Sequence, residues 1–97
     1  MAWNPNDYEM VESRIKRFYE MYPEGRIITH LIDDETDWIF KSLIYLNTAD
    51  QDGTWAKATG YATEKKGSTQ FAAEMTETSS IGRGLANMGL HGQGFYH

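Results

Sequence analysis

Every second side chain between residues 56 and 62 is small: Ala56, Ala58, Gly60 and Ala62, interleaved with Trp55, Lys57, Thr59, Tyr61 and Thr63. A two-residue period is that of a β-strand, so residues 54–64 read as a strand with one bare face and one bulky face. A bare face buries little on its own. It is useful where another backbone comes unusually close, and residues 75–88 are suited to do so. They read as a helix with two interior glycines, Gly82 and Gly84, each costing ~1 kcal/mol relative to alanine unless close packing offsets it. The expectation is a helix lying on the face of Ala56, Ala58, Gly60 and Ala62. Met75, Thr78, Ile81, Leu85 and Met88 share its inward side, and Gly89 is its left-handed stop.

Earlier segments supply the rest of a sheet and a first helix. Tyr8, Val11, Ile15, Phe18 and Tyr22 recur at steps of three and four, which makes an amphipathic helical stripe. Asn6 and Glu9 have capping-box spacing, with Asp7 beside them. Pro23 and Gly25 end the segment. Residues 26–32 and 38–46 read as strands joined by an acidic turn, Asp33-Asp34-Glu35-Thr36-Asp37. Residues 48–53 read as a polar turn, and residues 69–74 suit either helix or loop. The fold class is α+β: an N-terminal helix, a three-stranded antiparallel meander and a C-terminal helix packed on the sheet. This domain covers residues 1–89, and a glycine-rich tail with Phe95 and Tyr96 covers 90–97.

A chain of 97 residues suits a single domain with a thin core. Its meander leaves two strand edges open to pairing, so a homo-oligomer is expected, with the tail contacting a neighbour. The absence of cysteine excludes disulfides, thiolate zinc sites and a cysteine nucleophile. No apolar run approaches the ~20 residues of a membrane-spanning helix, and the opening residues do not read as a signal peptide. A reducing cytosol is the expected compartment.

The net charge of -5 argues against a general duplex-DNA binder. The acid is uneven, however. Residues 1–53 hold 11 acids and 5 bases, whereas residues 54–97 hold 3 acids and 4 bases. A nucleic-acid surface would draw mainly on the second half, with a few bases lent by the first.

Enzymatic chemistry finds little support. His30, His91 and His97 are not accompanied by a serine in a nucleophile-elbow pattern. The acidic turn at residues 33–37 and the turn Asp50-Gln51-Asp52-Gly53 do not match a calcium loop and read as solvated turns. Gly82-Arg83-Gly84 and Gly92-Gln93-Gly94 are neither dinucleotide fingerprints nor phosphate loops. The chain is expected not to be an enzyme and to need no cofactor or metal.

The bulky face of the third strand is the more informative constellation. Trp55, Lys57 and Tyr61 combine rings and cations, the mixture on which single-stranded nucleic acid stacks and pairs its phosphates. The pattern alone favours burial of this face under the first helix, with the nucleic-acid platform as second reading. Lys65 and Lys66 form a basic loop. On the last helix Thr76, Ser79, Ser80, Arg83 and Asn87 form a polar stripe suited either to solvent or to phosphate.

The run Glu77-Thr78-Ser79-Ser80-Ile81-Gly82-Arg83-Gly84-Leu85-Ala86-Asn87-Met88-Gly89 resembles the segment E-T-S-A-x-G-R-A-L-A-x-x-G of phage proteins of the essential-recombination-function (Erf) type. Ser80 and Gly84 stand where alanine is usual. Arg14-Ile15 through Phe18 and Tyr22-Pro23-Glu24-Gly25-Arg26-Ile27 look like that family's R-I-x-x-F-x-x-x-Y-P-x-G-x-I opening. Ala58-Thr59-Gly60-Tyr61-Ala62 with Glu64 resembles its A-T-G-x-A-x-E. The family is placed beside the eukaryotic annealing mediators, with a β-β-β-α core and oligomeric rings that hold single-stranded DNA. The resemblance implies single-strand binding and annealing in recombination without ATP, and points to Arg83 as the helical arginine. The candidate nucleic-acid residues are Arg83, Lys57, Lys65, Lys66, Trp55, Tyr61 and Asn87. A second class of function is a phage protein-interaction module that keeps the fold but binds a host or phage protein.

Overall fold

The structure is a computed structural model that describes residues 10–32, 35–53 and 55–90. Asn6, Asp7, Tyr8 and Glu9, the turn residues Asp33 and Asp34, Thr54, and the tail with His91, Phe95, Tyr96 and His97 lie outside the described residues. The elements follow the order α1 (Val11–Met21), β1 (Arg26–Ile32), β2 (Asp37–Tyr45), α2 (Thr48–Asp52), β3 (Ala58–Lys65) and α3 (Ala72–Asn87). The strands form one antiparallel sheet in the order β1-β2-β3. The fold is α+β, with α3 packed on the sheet as expected.

The contact between β3 and α3 rests on two glycines. A Cβ at Gly60 would collide with the backbone nitrogen of Gly84 and come within 2.6 Å of the Ser80 carbonyl. A Cβ on Gly84 would stand 2.7 Å from Ser42 Oγ and 3.1 Å from Ile44. Helix and sheet therefore meet backbone to backbone. Ser42, at the centre of β2, donates its hydroxyl to Ser80 O at 2.6 Å.

That proximity also sets the rotation of α3, which differs from expectation. Thr76 and Ser80 are 3% and 0% exposed, whereas Met75 is 53% exposed and Thr78 is also outward. A methionine is too bulky for the narrow gap over Gly60. A small hydroxyl residue fits and satisfies its oxygen locally: Thr76 donates to Ala72 O at 2.6 Å and Ser80 to Glu77 O at 2.7 Å. Gly84 and Ser80, where the resembling family has alanine, are thus both buried against the sheet.

The first helix lies on the same side of the sheet. Its Phe18 joins Ile44, Leu85 and Leu90 in the core, with Ile15, Tyr22, Ile27, Ala58, Ile81 and Met88 packed around them. Arg14, also buried, donates to Gly82 O and Leu90 O, both at 3.4 Å, and so joins α1 to the end of α3. Gly89 has φ +98°. Leu90 N donates to Leu85 O and Gly89 N to Ala86 O, both at 2.9 Å, which is the double closure of a Schellman motif. Leu90 is thereby pinned in the core.

Two smaller differences come from local chemistry. The expected turn at 48–53 is a short helix, because Asn47 Oδ1 accepts from Asp50 N at 2.8 Å and caps it. The third strand begins at Ala58 rather than at residue 54, so Trp55 and Ala56 precede it.

Candidate nucleic-acid interface

Side chains alternate across each strand, so the register assigns every strand residue to one of two faces. Ile27, Thr29, Leu31, Trp38, Phe40, Ser42, Ile44, Ala58, Gly60, Ala62 and Glu64 share the face on which the helices lie. The opposite face carries Arg26, Ile28, His30 and Ile32 from β1, Asp37, Ile39, Lys41, Leu43 and Tyr45 from β2, and Thr59, Tyr61, Thr63 and Lys65 from β3. Neither α1 nor α3 covers it. The burial of the bulky β3 face beneath the first helix, favoured by pattern alone, is therefore overturned. The apolar stripe of α1 is satisfied by Leu85, Ile44 and Ile81 on the other side.

The candidate residues divide between these surroundings. Tyr61 is 52% exposed on the face opposite the helices, where Tyr45 is 8% exposed, and Lys41 Nζ lies 5.6 Å from the Tyr61 ring centroid. Lys65 shares that face, opposite Asp37. Lys57 precedes β3 but still donates its backbone N–H to Ile44 O at 2.7 Å, and by alternation it continues the Tyr61 side. Trp55 is 75% exposed, with its indole beside Gly53. Lys66 is separate: its ammonium sits 4.8 Å from the ring centroid of Trp38, which belongs to the covered face. Asn87 donates to Thr59 O at 2.6 Å and so fastens the end of α3 to β3.

Arg83 is exposed on α3. It lines an open groove of about 560 Å³ with Ser79, Thr76 and Met75 from α3 and Ile39, Tyr61, Thr63 and Glu64 from the sheet. Arg83 and Tyr61 are thus brought to one groove along the outer margin of β3. Among the described residues no lysine lines this groove. Glu64 supplies a carboxylate instead.

Sequence reasoning missed Lys41 and Arg26 as members of a common surface with Lys57, Lys65 and Tyr61. The signal was available in the alternation of β1 and β2. Its use required knowing which face the helices occupy and how the strands are registered.

Comparison with protein-family models, curated proteins and solved structures gave no match to this chain.

Proposed function

We propose that the chain binds single-stranded DNA and promotes strand annealing without ATP, as a phage-type recombination protein working as a homo-oligomer in the host cytosol. The observation that carries this reading is the meeting of Arg83, from α3, and Tyr61, from β3, in one open groove. A guanidinium supplies phosphate contacts and a half-exposed ring supplies stacking, which together serve a strand whose bases are free. The Erf-like run that contains Arg83 supports the same reading. The test is binding of a fluorescent oligo-dT at low and moderate salt, followed by annealing of complementary oligonucleotides without nucleotide. Salt-sensitive binding and annealing are the expected results, and no measurable affinity at low salt rejects the reading.

A protein-interaction role is the second reading. It is favoured by Leu31, Phe71 and Met75, each more than half exposed. Capture of a host or phage protein by a chain that does not bind oligo-dT would decide for it.

A further inference from the structure

We infer that the DNA strand crosses the sheet face opposite α1 and α3 diagonally, from Arg26 past Lys41 and Tyr61 to Lys65. This path rests on the single-strand reading above and assigns two further phosphate-binding residues, Arg26 and Lys41. The register orders the face in rows. Arg26 lies beside Tyr45; Ile28 beside Leu43 and Thr59; His30 beside Lys41 and Tyr61; Ile32 beside Ile39 and Thr63; and Asp37 beside Lys65. Successive rows are about 6.7 Å apart. Arg26, Lys41 and Lys65 thus occupy the first, third and fifth rows on β1, β2 and β3 in turn. They mark a track about 28 Å long from strand and residue spacings. Lys57 flanks its first row.

Charge and shape select the occupant. Arg26, Lys41, Lys57 and Lys65 face a single strand carboxylate, Asp37, on a chain whose formal net charge is -5. The positive surface is therefore local rather than general. Between the cationic rows lie two largely aliphatic ones, Ile28 with Leu43 and Ile32 with Ile39. A duplex would set phosphates against these aliphatic rows and keep its bases stacked inside. A single strand alternates anionic phosphates with flat, weakly hydrated bases, so it satisfies both kinds of row. The Tyr61 ring, with Lys41 at its side, offers a place for a base to stack.

The track is tested with the full chain and fluorescent oligo-dT, by measuring affinity across a salt series. Arg26→Gln and Lys41→Gln should each weaken binding about 3- to 10-fold at low salt. Each should also make the slope of log affinity against log salt shallower by about 0.7. Lys65→Gln should have less effect, because Asp37 stands opposite that lysine. Lys41→Arg should retain affinity, and Lys16→Gln, on the exposed side of α1, should change nothing. Melting temperatures of all variants should match the parent. Unchanged affinity in Arg26→Gln and Lys41→Gln, with Arg83→Ala still weakening binding, would overturn the path but leave the single-strand reading standing. Equal competition by polyglutamate or by duplex DNA would overturn the choice of occupant. Failure of the parent chain to bind oligo-dT at low salt would reject both.

Discussion

At Gly60 a hydrogen stands where a methyl group would meet the backbone of Gly84. Neither partner is a flexible side-chain end, so relief requires moving α3 off the sheet. Gly60→Ala should destabilise the chain by roughly 1–3 kcal/mol through overpacking, read as a lower midpoint in urea denaturation. The pairing of this face with a glycine-bearing helix was legible because two periodicities, that of β3 and that of α3, each singled out a small-residue surface. The rotation of α3 was not. Thr76 and Ser80 count as polar in any pattern, yet the gap over Gly60 admits small residues and their hydroxyls close onto the helix's own carbonyls. Arg83 presents the opposite case, since it is exposed and lines the groove with Tyr61. Arg83→Ala should weaken oligo-dT binding and leave the melting temperature nearly unchanged. Loss of stability or assembly ahead of any binding effect would instead assign Arg83 a structural duty.

The elements show why the resemblance to recombination proteins speaks mainly about packing. Arg14, Phe18, Ala62, Gly82, Gly84 and Leu85 belong to the resembling segments, and all are buried. Such residues record how α1, α3 and the sheet approach one another, whereas among the motif's charged positions Arg83 is the one left outward on α3. The end of α3 is set by Gly89 and Leu90 together, since the Schellman closure carries Leu90 back against Leu85. Leu90→Ala should cost about 2–5 kcal/mol as a cavity in a thin core, measurable by the same denaturation. The helices also tend the sheet edges: Tyr19 Oη accepts from Ile27 N at 3.2 Å on β1, and Asn87 donates to Thr59 O on β3. Strand identities were legible from alternation, and β1 falls at the expected residues. The choice of which sheet face to cover was not, because both faces of the sheet carry enough apolar residues to receive α1. Tertiary packing decided it by placing Phe18 over Ile44 rather than over Leu43.

For the whole molecule, α1 and α3 lie on one face of the sheet, and among the described residues Leu31, Ile32, Phe71 and Met75 are large apolar side chains left exposed. A 97-residue chain buries a smaller fraction of its surface than a larger domain, a deficit that association would offset. Two of these four, Leu31 and Phe71, lie apart from both the cationic track and the groove of Arg83. Leu31 is on the helix-covered face and Phe71 precedes α3, whereas Ile32 belongs to the fourth row of the track and Met75 lines the groove with Arg83 and Tyr61. Self-association through Leu31 and Phe71 would therefore leave Arg26, Lys41 and Tyr61 available to DNA. The expected outcome in sedimentation or mass photometry is a multimer that persists when oligo-dT is added, with a melting temperature that rises with protein concentration. Leu31→Ser with Phe71→Ser should shift the population toward smaller species while preserving the affinity of each protomer for a short oligonucleotide. A monomer with a concentration-independent melting temperature at tens of micromolar would remove the homo-oligomer from the proposal. Annealing would then have to arise from two independently bound strands, and its rate would fall steeply on dilution.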